Sequence, residues 1–177
     1  VSAGVGLRRP RRIASDVVHF PKVAGLIRQE KVAAAPGRKF VGLVQLFSLE
    51  TGEPLVILQD GYLQAMRVGA TSALGAKYLA RKDARVLGLF GSGLQAANHI
   101  LAFSKVRNLE KVKVFSPNPE HRKRFAAEWR EKLGIPVTAE DAPENVVSGS
   151  DMVMSSTNTN EPTFKGEWLE EGTHVGS

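Results

Sequence analysis

The sequence of 177 residues contains no cysteine, and none of its apolar runs approaches the roughly 18 residues that a membrane-spanning helix requires. The absence of cysteine excludes disulfides and thiolate metal ligands. The four histidines show no spacing typical of metal ligands, so we expect no metal site. The basic start of the chain is not followed by the apolar segment of a secretory signal, and we therefore expect a cytoplasmic protein without a membrane partner.

Acidic residues are scarce near the start of the sequence. Residues 1–40 hold nine Lys or Arg against Asp16 and Glu30, whereas residues 41–177 are close to neutral. A nucleic-acid-binding domain usually carries its basic face on the folded body, so we expect no nucleic-acid partner. The arm of residues 1–38 has weak periodicity and predicts no helix or strand. Its arginines are either a solvated tail, which we favour, or a site for a polyanion.

The middle of the chain predicts a β-hairpin followed by a long helix. Residues 40–49 and 55–58 are apolar and β-branched, and the turn residues between them predict two strands joined by a tight loop. Asp60 is a suitable helix N-cap, and residues 62–80 show apolar residues at helical spacing. Small residues on this helix predict close packing against a sheet or a second subunit; they are Gly69, Ala70, Ala73, Gly75 and Ala76.

From Arg85 onwards, segments typical of strands and helices alternate. This alternation predicts an α/β fold of the Rossmann type, with a doubly wound parallel sheet. Strands are predicted at 85–90, 111–116, 136–139, 151–156 and from 173, and helices at 94–105, from 118 to 134 and after 143. Since a complete dinucleotide-binding domain has about six strands, we expect this sheet to be incomplete at Ser177.

The first of these strands leads into a glycine-rich turn, Gly91-Ser92-Gly93-Leu94-Gln95-Ala96. This Gly-x-Gly-x-x-Ala pattern, between a predicted strand and a predicted helix, is typical of a turn that binds a dinucleotide pyrophosphate. Gly91 would permit the sharp turn, Gly93 would let the backbone approach the phosphates, and Ala96 would allow close helix packing. A tight turn without a ligand is the alternative.

The end of the second strand bears on the choice between NAD and NADP. NAD sites usually carry an Asp or Glu there, whereas this chain has Ser116. Ser116 is able to hydrogen-bond a 2′-phosphate, and Arg122 is placed to add positive charge. The sequence thus slightly favours NADP over NAD. The alternative is that Arg122 belongs to a solvated basic face with Lys123 and Arg124.

Arg67 and His99 are two further candidates for a functional role. Arg67 has no carboxylate three or four residues away on its predicted helix, so its guanidinium is free to bind a carboxylate bidentately. By spacing alone, a plain surface arginine is the favoured interpretation. His99 follows the glycine turn, and we interpret it as a packed or capping side chain.

Four stretches of the sequence resemble the ornithine cyclodeaminase/mu-crystallin family. They are LFSLETGEP at 46–54, DGYLQAMRVGATSALGAKYLA at 60–80, LGLFGSGLQAANH at 87–99, and 151–175 with SSTNTNEP and GEWLEEGTHV. The resemblance implies an NAD(P)-dependent protein with a Rossmann domain and a smaller α+β domain for substrate binding and dimerisation. It also implies a homodimer. The expected division is a partial substrate-binding domain at 1–80 and an NAD(P)-binding domain at 81–177.

The same resemblance implies roles for individual residues. Arg67 would bind the substrate carboxylate beside the nicotinamide, Leu94 and Gln95 would contact the pyrophosphate, Ser116 would lie at the adenosine ribose, and Thr157 would line the nicotinamide side. The family's catalytic aspartate would lie beyond Ser177, so no catalytic residue is assigned within the chain.

The chain departs from the family pattern beside Arg67, where Gln64 and Val68 replace the usual threonines. The family's substrate-binding lysine has two candidate matches, Lys22 and Lys39, between which the sequence does not choose.

Two functions follow from these features. The first is an NAD(P)-dependent enzyme acting on a small amino acid or cyclic imino acid, by deaminating cyclisation, imine reduction or amino acid dehydrogenation. The second is a non-catalytic NAD(P)-binding protein similar to mu-crystallin. An unrelated Rossmann reductase is a third and less favoured possibility.

Overall fold

The computed structural model describes residues 43–177. The predictions for the basic arm of residues 1–38, and for the start of the first strand at 40–42, lie outside the described residues. The chain divides into two compact units, Val1–Tyr62 and Leu63–Ser177. The domain division predicted from the sequence, with its boundary after residue 80, stays a prediction.

The described part of the first unit contains an antiparallel hairpin of strands β1 (Leu43–Phe47) and β2 (Pro54–Gln59). The turn is closed by the Gly52 N–H, which donates to the Ser48 carbonyl at 2.9 Å. Gly52 has a φ of 73°, a conformation that glycine adopts without strain. The predicted hairpin is therefore confirmed.

Helix α1 (Asp60–Leu79) follows and begins at Asp60 itself. Four of its small residues are buried within the second unit, namely Ala65, Gly69, Ala73 and Ala76, whereas Ala70 is exposed. A Cβ on Gly69 would lie 2.7 Å from the Asn98 carbonyl oxygen, so the backbones of two helices approach directly at this point. Close packing is thus observed at Gly69, but its partner there is a neighbouring helix and not the predicted sheet or second subunit. Gly75 has no atom within 4 Å of a Cβ.

The second unit contains a five-stranded sheet, and every neighbouring pair of strands in it is parallel. Its strand order is β5-β4-β3-β6-β7. In chain order the elements are β3 (Val86–Phe90), α2 (Leu94–Val106), β4 (Lys111–Phe115), α3 (Pro119–Leu133), β5 (Val137–Ala139), α4 (Pro143–Val147), β6 (Met152–Ser155), a 3₁₀ turn (Gly166–Trp168) and β7 (His174–Gly176). The predicted Rossmann-type sheet is confirmed.

The hydrophobic core lies on both faces of this sheet because successive residues of a strand point to opposite sides. Leu87 and Leu89 of β3 belong to the cluster that contains residues of α1, α2 and α3. Phe90 packs on the other face with Val146 of α4. A Cβ on Gly88 would lie 2.5 Å from the Val146 carbonyl oxygen, so glycine is needed for α4 to pack directly on β3.

The ends of α3 follow the rules from which they were predicted. The Asn118 side chain accepts a hydrogen bond from the His121 backbone N–H at 3.0 Å, and Pro119 occupies the first helical position. Gly134 ends the helix in the left-handed region, with a φ of 66°.

Within residues 43–177, no helix combines the length and the apolar character that crossing a membrane demands. In the same part of the chain, no three His, Asp or Glu side chains come together in a group that could hold a metal ion.

Candidate functional site

The carboxyl ends of β3, β4 and β6 border a cleft of about 610 Å³ in the second unit. In an open parallel sheet this is where ligands bind, because the strand order reverses beside the first strand. The cleft is lined by the glycine-rich turn, by Val68 and His99, by Ser116 and Pro117, by residues 154–158 and by Ser177.

Gly91 makes the sharp turn at the end of β3. Its φ of 112° is in a region that other residues rarely adopt, and its N–H donates to the Phe115 carbonyl at 2.8 Å. A Cβ at this position would lie 2.5 Å from the Ser156 carbonyl oxygen. The turn therefore requires glycine at residue 91 for two reasons. The backbone has a positive φ there, and the chain after β6 comes too close to leave room for a side chain.

Gly93 differs from Gly91 in what surrounds it. It has an ordinary φ of −99° and is the N-cap residue of α2, without a side-chain cap. A Cβ on Gly93 would meet no atom within 4 Å, so the position is bare backbone facing open space. The first N–H groups of a helix have no intrahelical partner, and together with the helix dipole they favour an anion. The turn thus fits a phosphate-bearing ligand.

The two residues that follow lie at the same place. Leu94 is 58% exposed although it is apolar, and it lines the cleft together with Gln95. The Gln95 Oε1 atom is buried without a hydrogen-bond partner among the described residues. A buried amide oxygen without a partner is unfavourable, and a ligand that supplies a donor, or rotation of the amide, would satisfy it. Ala96 is fully buried, consistent with the helix packing predicted for it.

Ser116 lies directly after β4 and is held against the glycine turn. Its hydroxyl accepts a hydrogen bond from the Ser92 hydroxyl at 3.0 Å, and only 7% of the residue is exposed. The neighbouring Pro117 also lines the cleft. The end of β4 therefore presents a small polar group and no carboxylate of its own.

Arg122 does not belong to a solvated basic face, and that alternative is wrong. The residue is only 7% exposed. Its Nη1 donates to the Ser116 carbonyl at 3.1 Å, and its Nη2 donates to Asp141 Oδ1 at 2.6 Å. Both Nη groups are thus engaged within the protein. The preference for NADP relied in part on Arg122 as a cation available to a 2′-phosphate, and the ion pair with Asp141 removes that part of the argument.

His99 lines the cleft at a junction of three elements. Its Nδ1 lies 2.7 Å from the Gln95 carbonyl oxygen and 3.1 Å from the Ser156 hydroxyl, and its Nε2 lies 3.2 Å from the Ser72 hydroxyl. Burial lowers the pKa of His99, while the hydrogen bond to the Gln95 carbonyl opposes this shift. A neutral imidazole that donates from Nδ1 fits these partners, because a carbonyl oxygen can only accept. The contacts match the packed role expected from the sequence.

The chain after β6 forms the opposite wall. The Ser156 N–H donates to the Phe90 carbonyl at 2.8 Å, which continues the parallel pairing past the end of the strand. Thr157 follows, exposed, and lines the cleft. The structure therefore brings Thr157 to the same cleft as the glycine turn and Ser116.

Arg67 lies on α1, one residue before Val68, which lines the cleft. Its side chain is exposed, and it makes no hydrogen bond or ion pair with a described residue. The helix face beside it is anchored by Ser72 on His99 and by Gly69 against α2. Arg67 is thus a cation without a described partner on a helix that borders the cleft.

Sequence reasoning missed Asp141. An acidic residue was sought only at the end of β4, whereas Asp141 reaches Arg122 from the loop after β5. Strand β5 pairs with β4 in parallel, with Ala139 opposite Val114. The order of the strands would have indicated that the residues after β5 lie beside those after β4.

The sequence and the structure were compared with known proteins. The model of the ornithine cyclodeaminase/mu-crystallin family matches residues 28–177. Delta(1)-pyrroline-2-carboxylate reductase of Bacillus cereus is 35% identical over 157 residues, which are 88% of this chain and 47% of that protein. The chain therefore spans about half the length of the curated relatives it matches.

Two solved structures are similar in fold and sequence. The first is Delta(1)-pyrroline-2-carboxylate reductase of Thermococcus litoralis with NADH and L-proline, which has a TM-score of 0.73 and 38% identity over 77% of this chain and 43% of that one. The second is an archaeal alanine dehydrogenase dimer with bound NAD, which has a TM-score of 0.72 and 34% identity over 76% of this chain and 41% of that one.

Proposed function

The chain belongs to the ornithine cyclodeaminase/mu-crystallin family, and on that basis we propose that it provides the dinucleotide site and part of the substrate site of an NAD(P)-dependent enzyme acting on a small amino acid or cyclic imino acid. The observation that carries this proposal is one cleft with an anion-binding glycine turn on one side and, on the helix that borders it, a cation without a described partner. This combination suits a ligand with a pyrophosphate and a substrate with a carboxylate.

The glycine turn would hold the cofactor. The backbone of Gly93 and the N–H groups at the start of α2 would bind the pyrophosphate, with Leu94 and Gln95 beside it. Ser116 would lie at the adenosine ribose and Thr157 at the nicotinamide. The bound nicotinamide would supply or accept a hydride, which no side chain can do.

Arg67 would bind the substrate carboxylate. Two parallel N–H groups of a guanidinium match the two oxygens of a carboxylate, so this contact fixes both the position and the orientation of the substrate. Orientation beside the cofactor accounts for much of the rate in such reactions because the reacting atoms are brought together. No other contact of Arg67 with a described side chain competes with this role.

Reduction of an imine, or the reverse oxidation of an amino acid, is the reaction we favour. The relatives reported above are named as a pyrroline-carboxylate reductase and an alanine dehydrogenase, and one of their structures holds NADH with L-proline. Deaminating cyclisation is a second reaction known by name in the family. Both reactions use a substrate with a carboxylate next to the reacting carbon.

We propose NAD(H) as the cofactor, in place of the slight preference for NADP taken from the sequence. Both similar structures contain NAD or NADH. In this chain the guanidinium of Arg122 is paired with Asp141. We also propose a homodimer, which light scattering of the purified full chain tests. The division into a substrate-binding part and a dinucleotide-binding part and the cytoplasmic location are proposals too.

Titration of the full chain with NADH and NADPH, followed by cofactor fluorescence, tests the cofactor site. We expect saturable binding of NADH. If neither dinucleotide binds, the proposed function is wrong. Turnover of Delta(1)-pyrroline-2-carboxylate, or of a 2-oxo acid with ammonia, would rule out the non-catalytic alternative.

Replacement of Arg67 by alanine tests the substrate site. We expect the Kd for the imino or amino acid, measured with NADH bound, to rise about tenfold or more, because a charge-assisted bidentate contact is lost. The Kd for NADH should not change. Lys77→Ala is the matched control, since Lys77 is an exposed cation near the end of the same helix. An unchanged Kd for the imino or amino acid in the Arg67 variant would remove Arg67 from the site.

A further inference from the structure

We propose that the ion pair between Asp141 and Arg122 makes the cofactor site select NAD(H) against NADP(H), with Asp141 replacing the acidic residue that is missing at the end of β4. This inference rests on the proposed function, because it concerns the same dinucleotide site. The pair lies immediately behind Ser116, a residue of the cleft, since Arg122 donates to the Ser116 carbonyl at 3.1 Å.

The pairing of β4 with β5 brings Asp141 to this position. Ala139, the last residue of β5, lies opposite Val114. The Glu140 N–H then donates to the Val114 carbonyl at 2.8 Å, so the chain continues alongside β4 after the strand ends. Asp141 is the next residue, and its Oδ1 lies 2.6 Å from Arg122 Nη2. The Asp141 carboxylate thus lies near the end of β4, the strand end at which NAD sites carry an acidic residue.

The two members of the pair differ greatly in exposure. The Arg122 side chain is 8% exposed, whereas the Asp141 side chain is 85% exposed. Arg122 is further enclosed by the Phe115 ring, whose centroid lies 5.5 Å from its guanidinium carbon. Asp141 is therefore the exposed member of the pair, and the Arg122 guanidinium is covered by Asp141, the Ser116 carbonyl and the Phe115 ring.

This arrangement discriminates through the charge of the ligand. NADP differs from NAD by a 2′-phosphate that carries close to two negative charges near pH 7. This phosphate could pair with Arg122 only by displacing Asp141. If the ion pair stayed intact, the phosphate would lie beside the Asp141 carboxylate, a second anion that repels it. Lys123 and Arg124 are exposed on the same helix, but neither donates a hydrogen bond to Ser116 or Asp141. Asp141 is hence the group whose removal should change the preference.

The test compares the Kd values of NADH and NADPH for the full chain, its Asp141→Asn variant and its Glu144→Gln variant. Cofactor fluorescence at fixed ionic strength provides the readout, so no turnover is needed. Glu144→Gln is the matched control, because it removes the same charge from an exposed residue only three positions away. Asp141→Ser is a second neutral variant. It shows whether a change seen in Asp141→Asn comes from the lost charge or from new contacts of the asparagine amide.

We expect the parent protein to bind NADH more tightly than NADPH. Asp141→Asn and Asp141→Ser should improve NADPH binding by about tenfold, the change that the loss of one close charged contact typically produces. NADH binding should change by less than about threefold, and Glu144→Gln should leave the ratio of the two Kd values as it is. Added salt should narrow the preference of the parent, because charge repulsion is screened.

A parent protein that prefers NADPH would overturn the inference. So would neutral variants at Asp141 that bind both dinucleotides with the ratio of the parent. In both cases the proposed function would stand, because a dinucleotide still binds. If no protein in the series binds either dinucleotide, the inference and the proposed function are both wrong.

Discussion

The imidazole Nε2 of His99 accepts a hydrogen bond from the Ser72 hydroxyl at 3.2 Å, and this contact joins helix α2 to helix α1. The other ring nitrogen donates to the Gln95 carbonyl, so the imidazole uses both nitrogens within the protein. The connection holds α1, which carries Arg67, against the helix that follows the glycine turn.

A double-mutant cycle between His99 and Ser72 should measure this connection. We expect the two single variants, Ser72→Ala and His99→Ala, to be non-additive in the free energy of unfolding by about 0.5–1.5 kcal/mol, the net value of one hydrogen bond. Chemical denaturation provides the measurement. Ser104→Ala is the control, since the Ser104 hydroxyl bonds only to a carbonyl of its own helix. Strict additivity between His99 and Ser72 would contradict the contact.

The two glycines of α1 should respond in opposite ways to alanine. In Gly69→Ala, the new Cβ would lie 2.7 Å from the Asn98 carbonyl oxygen, and backbone atoms cannot easily move aside. We expect a loss of about 1–3 kcal/mol in the free energy of unfolding. Gly75→Ala has open space around the new Cβ, so we expect a gain of up to about 1 kcal/mol from helix propensity. Thermal melts of the two variants check both signs, and equal effects would refute the packing at Gly69.

The two glycines of the turn should separate folding from cofactor binding. Gly91→Ala combines a φ of 112° with a contact of 2.5 Å to the Ser156 carbonyl oxygen, so we expect a loss of about 2 kcal/mol or more in stability. Gly93→Ala meets neither obstacle, and its free energy of unfolding should fall by no more than about 1 kcal/mol, because alanine is a poorer helix N-cap than glycine. Its Kd for NADH should nevertheless rise about tenfold or more, because the new methyl group enters the space proposed for the pyrophosphate. Unchanged affinity would place the cofactor elsewhere.

Local sequence rules predicted most of the fold. Strand β3, the glycine turn and α2 are specified by an apolar run, Gly-x-Gly and helical periodicity, and α3 is bounded by Asn118, Pro119 and Gly134. These signals extend over only a few residues, so they can be recognised in a single sequence. The parallel, doubly wound arrangement also followed, because parallel strands joined by helices cross over with one hand. The order of the strands was not predicted.

The contacts between distant parts of the chain could not be predicted in this way. The ion pair of Arg122 could not be predicted, because its partner, Asp141, lies on a different loop and reaches it only through the pairing of β4 with β5. Ser72 and Ser156 gave no signal as partners of His99, since they are 27 and 57 residues away in sequence. Periodicity indicates which face of a helix is buried, but it does not indicate which polar groups meet there.

Asp151 illustrates the same limit at the opposite end of the sheet. It lies just before β6, and its Oδ2 accepts hydrogen bonds from the backbone N–H groups of Arg85 and Val86 at 2.7 and 2.8 Å. Its Oδ1 pairs with Arg81 at 2.5 Å. Burial opposes the charged form, but the two backbone N–H groups and Arg81 outweigh it, and they lower the pKa of Asp151 below its ordinary 3.8.

The lowered pKa fixes how Asp151 should affect stability at different pH values. A carboxylate with a lower pKa in the folded state stabilises the fold fully above its unfolded pKa, and that contribution is lost as the pH falls through the lower folded value. Asp151→Ala should therefore reduce the free energy of unfolding by about 1.5–3 kcal/mol at pH 7, since two backbone N–H groups and Arg81 lose their acceptor. The difference from the parent should shrink below about pH 4.

Urea denaturation of both proteins from pH 3 to pH 7 measures this difference. The pKa of His174 is also lowered, by burial and then by Arg107, and its protonation destabilises the fold as the pH falls. Subtracting the free energy of unfolding of the variant from that of the parent removes the contribution of His174, because both proteins retain this residue. Asp83→Asn is the matched control: it removes a more distant partner of Arg81, at 3.5 Å, from a side chain that is 73% exposed. Its effect should stay below about 0.5 kcal/mol and vary little with pH. A difference for Asp151→Ala that is constant across the range would mean that the carboxylate charge contributes nothing, and that its oxygens act only as neutral acceptors.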